Sequence, residues 1–137
     1  MTASARIFRH GIRVPYAHVD QMGVVYYANY LVYFEMARSE MLREAGTPYT
    51  ELEKKGVRLP VVEAFCEYLA PAHYDDWLIV ESRVPGIQGA RLRIEYVIRR
   101  DEKPMVTGHT IHVCVNPQGK VLRPVEEFRR LTGKDPI

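Results

Sequence analysis

Cysteine is scarce: Cys66 and Cys114 are the only two in 137 residues. They cannot build a disulfide framework, so both are read as reduced, buried thiols of a cytoplasmic protein. Long apolar runs are missing too. The longest mostly apolar stretch, Val24 to Phe34, falls short of the ~20 residues that a membrane span needs. Met1 to Gly11 lacks the apolar segment of a secretion signal. No sign of charge dominates. The 19 basic and 17 acidic residues leave a net charge of +2, too balanced for a nucleic-acid partner held by charge. No G-x-S-x-G elbow is present, which excludes an α/β-hydrolase, and there is no glycine-rich phosphate loop. His109 and His112 stand three apart in a strand-like stretch and so point to opposite faces. No metal site is expected from them. Neither cysteine has a base motif beside it. No repeat and no linker is visible, which gives one domain over residues 1–137.

What is present is ordinary globular material, 47% hydrophobic and 26% charged, enough for one core. Tyrosine is concentrated in the first third, at positions 16, 26, 27, 30, 33 and 49. Tyr30, Phe34, Ala37, Met41 and Ala45 recur at helical spacing and predict a helix from Ala28 to Ala45, ended by Gly46 and Pro48. Its first half is apolar nearly all round, as a helix wrapped by the rest of the chain or by a partner subunit would be. A short helical turn follows Pro48, through Leu52 to Lys55.

After Gly56 the period becomes two. Strands are predicted over Val61–Leu69, over Trp77–Val84 closed by Pro85–Gly86, over Leu92–Arg99, and through Thr110–Val115. Asp101–Pro104 and Asn116–Gly119 read as turns. A first strand is placed at Ile12–Ala17 and a terminal helix at Pro124–Leu131, with Pro124 in its first turn. Four consecutive strands on short turns would be antiparallel. The architecture is therefore α+β: a curved antiparallel sheet wrapped round one long central helix.

Asp20 lies between the first strand and this helix. A carboxylate there sits close to the free N–H groups of a helix N-terminus, which can hold a developing oxyanion while the carboxylate serves as nucleophile or base. The same position also suits a plain turn or capping residue.

The run Tyr16-Ala-His-Val-Asp20-Gln-Met-Gly23-Val-Val-Tyr26-Tyr27-Ala-Asn29-Tyr30 resembles the active-site signature of hotdog-fold acyl-CoA thioesterases. It is most similar to the 4-hydroxybenzoyl-CoA thioesterase and YbgC-like branch. Glu35-Met-Ala37-Arg38 matches the E-x-A-R stretch that follows there. The likeness continues through Leu59-Pro60-Val61, Tyr68-Leu69-Ala70-Pro71-Ala72, Tyr74-Asp75-Asp76 and Val113-Cys114-Val115. It departs at His18, where many members carry an acid, and at Tyr27, where many YbgC-like members carry histidine. A mechanism needing an imidazole at that position is excluded.

The resemblance implies acyl-CoA thioester hydrolysis, with Asp20 as nucleophile or general base and the backbone N–H of Tyr27 as the oxyanion donor. Tyr16, Gly23, Tyr26, Pro60 and Val61 would line the substrate site. Asn29 would cap the helix, and His18 would be a surface residue or a neighbour of Asp20. Arg91, within Gln88–Arg91, would grip the coenzyme phosphates, ahead of Arg58, Arg93, Lys120 and Arg123. No cofactor is implied beyond coenzyme A, which is part of the substrate. A homodimer or tetramer with shared sites is implied. Two other readings stay open: a non-catalytic acyl-CoA or acyl-carrier-protein binding module, and an enoyl-thioester hydratase, for which no histidine follows Asp20 until His73.

Overall fold

Helical periodicity and alternation resolve into a six-stranded antiparallel sheet curved round one helix. The structure, a computed structural model, describes residues 5–133. In chain order the elements are β1 (Phe8–Arg13), α1 (Asn29–Glu44), α2 (Tyr49–Lys54), β2 (Val61–Tyr68), β3 (Trp77–Gln88), β4 (Arg91–Arg100), β5 (Lys103–Val115), β6 (Val121–Leu122) and α3 (Glu126–Leu131). The sheet order is β1-β3-β4-β5-β2, with β6 added to β5. The architecture is that of a hotdog fold, the sheet closing over α1.

Tyr30, Tyr33, Phe34, Ala37 and Met41 form one helical stripe and are all buried. They pack against the inward positions of the sheet, among them Leu78, Val80, Leu92, Ile94 and Ile98. Phe34 stacks on Tyr96, with ring centroids 4.2 Å apart and planes 6° from parallel. Gly108 makes this approach possible: a Cβ there would stand 2.2 Å from the Phe65 carbonyl oxygen and 2.7 Å from the Phe34 ring.

Several expectations are corrected. The first strand lies earlier, at Phe8–Arg13; Pro15 offers no N–H to a ladder, and Tyr16–His18 coils into a single 3-10 turn. β3 does not end at Pro85–Gly86 but runs to Gln88, absorbing the proline in a register shift between Arg83 and Gly86. Only β3, β4 and β5 form a sequential meander. β2 leaves β3 and pairs with the far side of β5, because the chain crosses the sheet between Tyr68 and Trp77. Pro124 precedes α3, whose flanking residue is Val125. Within one chain the first half of α1 is covered on its buried stripe, while Leu31, Val32 and Met36 are exposed on the face that the expectation left for a partner subunit.

On β5 the alternation is broken at Ile111, which is buried like Thr110, His112 and Cys114, while Val113 and Val115 are only half-buried. Among the described residues no helix is long and apolar enough to cross a membrane.

Candidate active site

Asp20 opens a tight loop. Its C=O accepts the Gly23 N–H at 2.9 Å, and its own N–H donates to the Val24 C=O at 2.9 Å. The Asp20 Oδ1 accepts the Met22 N–H at 2.8 Å, an Asx turn that fixes the carboxylate. Gly23 closes the loop at φ +80°, a left-handed conformation that a side chain would strain. Bridges from Val19 to Val25 and from Val24 to His73 tie the loop to the segment before β3.

The helix start folds back on the same loop. The Tyr26 N–H donates to the His18 C=O at 2.9 Å, and Asn29 Nδ2 donates to that carbonyl at 3.1 Å. Asn29 is therefore no cap; Ala28 stands at the cap position with helical dihedrals, and no side chain closes the end. The Tyr27 N–H has no acceptor among the described residues. It is left as an orphan donor at the mouth of α1. His18 is not a surface residue: its Nδ1 lies 2.9 Å from the Tyr33 hydroxyl.

Tyrosines wall the space beside Tyr27. Val25, Tyr27, Tyr30, Tyr68, Leu69, Ala70 and Pro71 line a cleft of about 270 Å³. The Tyr68 hydroxyl donates to the Tyr27 C=O at 3.3 Å, and the Ala72 N–H donates to the Tyr30 hydroxyl at 3.2 Å. Burial pushes the Tyr33 and Tyr68 hydroxyls up to about 12 and raises that of Tyr30. A hydrogen bond with Tyr27, followed by smaller electrostatic contributions that include Asp20, raises the Tyr26 hydroxyl. These phenols are neutral near pH 7.

The remaining predicted residues divide. Tyr16 is 74% exposed and sits edge-on to Tyr74, outside the cleft. Tyr26 packs beside Tyr27 with centroids 4.7 Å apart. Pro60 and Val61 stand at the opposite end of β2 from Tyr68, ~23 Å away by strand rise. Arg91 belongs to that far end: it pairs with Val113, whose N–H reaches the Pro60 C=O at 3.4 Å. The chain thus keeps Tyr27 and Tyr68, next to the Asp20 loop in sequence, at one end of the sheet and Pro60, Val61 and Arg91 at the other. Arg91 is exposed and has no ion pair among the described residues, whereas Arg93 is engaged by Glu95 at 2.9 Å and by His109 at 3.2 Å. His109 faces outward with Glu63, and His112 faces inward. No group of three metal-ligating side chains occurs among the described residues.

A buried polar chain escaped the sequence reading altogether: Arg38, Tyr96, Thr110 and His112, linked by hydrogen bonds between α1 and the sheet. Its one sequence sign is the polar side chains of Thr110 and His112, both on the same side of a strand.

A family model described as the thioesterase-like superfamily matches residues 14–130. The chain is similar to the acyl-CoA thioesterase YbgC of Haemophilus influenzae, 36% identical over 119 residues, which cover 86% of this chain and 86% of that relative. Among solved structures, a protein from Thermus thermophilus superposes with a TM-score of 0.85 at 34% identity, covering 93% of this chain and 98% of that one. The DHNA-CoA thioesterase of Staphylococcus aureus superposes with a TM-score of 0.81 at 28% identity, covering 85% of this chain and 80% of that one.

Proposed function

This chain belongs to the thioesterase-like superfamily, and from that premise we propose that it hydrolyses acyl-CoA thioesters to a carboxylic acid and free coenzyme A. The observation that carries the reading is the pairing, at one helix mouth, of the loop-held Asp20 carboxylate with the orphan Tyr27 N–H. In this reading the thioester oxygen lies on the Tyr27 N–H, a preorganised donor of the kind worth about 3 kcal/mol to the transition state. Asp20 either attacks the carbonyl carbon, forming with loss of the thiolate a mixed anhydride that water then hydrolyses to the acid and free Asp20, or takes a proton from a water that attacks directly. The coenzyme thiolate then leaves unaided, because thiols are far more acidic than alcohols, a cysteine thiol having a pKa of about 8.5, and no metal or redox group is needed. Two unpaired thiols, Cys66 and Cys114, support a reducing, cytoplasmic setting.

Shared sites complete the proposal. Val61, Val62, Phe65, Tyr68 and Leu69 are all about half exposed along the edge strand β2. Edge-to-edge antiparallel pairing of β2 with a second copy would set the Tyr68 end of one strand against the Val61 end of the other. The two clusters that one protomer keeps apart would then meet, with Arg91 of the second copy placed for the coenzyme phosphates.

Thiol release from a panel of acyl-CoAs tests the activity. Asp20→Asn is expected to lower the rate at least a hundredfold at unchanged Tm, consistent with loss of an acid–base or nucleophilic group. Full activity in that variant would remove Asp20 from the chemistry. In single turnover in ¹⁸O-water, label on Asp20 would establish attack by the carboxylate, because general-base catalysis puts label only in the product acid.

A further inference from the structure

We infer that Arg38, Tyr96, Thr110 and His112 are positioning residues, forming a one-way hydrogen-bond chain that holds the Leu59–Pro60–Val61 corner in place for substrate. The inference rests on the thioesterase reading for its kinetic part only. Arg38 Nη1 lies 3.1 Å from the Tyr96 hydroxyl, which lies 2.8 Å from Thr110 Oγ1. Thr110 Oγ1 lies 2.7 Å from His112 Nε2, and His112 Nδ1 lies 3.2 Å from the Leu59 C=O.

The two ends fix the direction of every bond between them. A guanidinium can only donate and a carbonyl can only accept. Tyr96 therefore accepts from Arg38 and donates to Thr110, Thr110 donates to His112 Nε2, and His112 carries its proton on Nδ1 and donates it to Leu59. A proton on Nε2 alone would leave Nδ1 an acceptor facing the Leu59 C=O, a second acceptor.

The corner is bonded to β5 on either side, by Arg58 with Val115 and by the Val113 N–H on the Pro60 C=O, and the chain adds a hold on Leu59 between them. Pro60 has no N–H, and the β2–β5 register slips between Val61 and Glu63, so the ladder is irregular where β2 begins. Leu59 is gripped on both sides: its N–H donates to the Tyr49 hydroxyl at 3.1 Å and its C=O receives His112. Tyr96, Thr110 and His112 are each at most 2% exposed, so water cannot replace a missing member. None of the four belongs to the Asp20–Tyr27 end of the sheet; they act through the corner.

The test cuts the chain at its middle. Thr110→Val keeps the shape and removes the hydroxyl. It is expected to raise KM for acyl-CoA about tenfold with kcat within about threefold, the pattern of lost binding rather than lost chemistry. Thr110→Ser should restore KM. In the wild type, ¹⁵N shifts of His112 should report the Nδ1–H tautomer at neutral pH, and in Thr110→Val the Val61 methyl signals should move. A wild-type Nε2–H tautomer, or a Thr110→Val variant with unchanged KM and Val61 signals, overturns the inference. If Thr110→Val does not fold, Tyr96→Phe takes its place under the same criteria, and the wild-type tautomer decides alone if both fail. Absence of any turnover in the wild type strikes the thioesterase reading, while the tautomer and methyl signals still decide the chain.

Discussion

His112 shows how much one buried side chain can weigh. Burial, and after it the Arg38 charge, hold its pKa down at about 4. The unfolded value is near 6.5. The unfolded chain therefore binds more protons between these limits, and stability falls as pH drops through the window. The loss is expected to begin near pH 6.5 and to be complete near pH 4, amounting to about 3 kcal/mol at most. Asp76, Glu81, Glu95 and Glu127 act in another range. Their folded pKa values are lowered, most plainly for Glu81 by its hydrogen bond with Arg99, so their contribution is present above about pH 4.5 and lost below it. Urea midpoints measured between pH 6.5 and 4.5 thus read the histidine first. A flat profile there would mean that His112 is solvated or already charged when folded.

Among the elements, α1 and β5 depend on each other through Gly108. Gly108→Ala would drive a methyl into the Phe65 carbonyl and the Phe34 ring, and only the ring can turn aside. A loss of at least about 2 kcal/mol is expected, typical of overpacking a tight site. A Tm within a degree of the wild type would show that the backbone gives way. The same elements show what the sequence conveyed. The periodicity of α1 and of β4 was plain because each buries one simple stripe. The helix predicted over Ala28–Ala45 is Asn29–Glu44 in the structure. β5 carried a misleading sign, since its inward face holds Thr110 and His112, which satisfy each other only once Tyr96 and Leu59 arrive from elsewhere. The turn at Asp20–Gly23 and the helix mouth at Tyr27 were legible because they are contiguous, whereas a chemical part for Asp20 was suggested only by the family resemblance. Neither the Arg38–His112 chain nor the gap between Tyr27 and Val61 was legible, because both arise from strand pairings distant in sequence.

At the scale of the molecule, the half-exposed apolar flank of β2 and the exposed Leu31, Val32 and Met36 of α1 call for cover. A homodimer or larger assembly is expected at assay concentration, with activity falling as dilution separates the copies. Sedimentation velocity alongside rate measurements checks this, and a fully active monomer would rule out shared sites.

The sheet order has a consequence in time. β3, β4 and β5 are joined by short reversals, one of them at Asp101–Glu102, where both residues take positive φ. β1 must find β3 across the whole of α1, and β2 must wait for β5. Contacts near in sequence form before those that close long loops. The order of assembly therefore runs against the order of synthesis: the amino-terminal half leaves the ribosome first, and the apolar stripe of α1 stays without most of its sheet cover until β3, β4 and β5 have been made. Substitutions within the β3–β5 meander are expected to slow refolding, whereas those in β1 or β2 should chiefly speed unfolding, a split that stopped-flow chevrons resolve. The nascent chain would accordingly be most exposed to chaperones just before its last strands emerge.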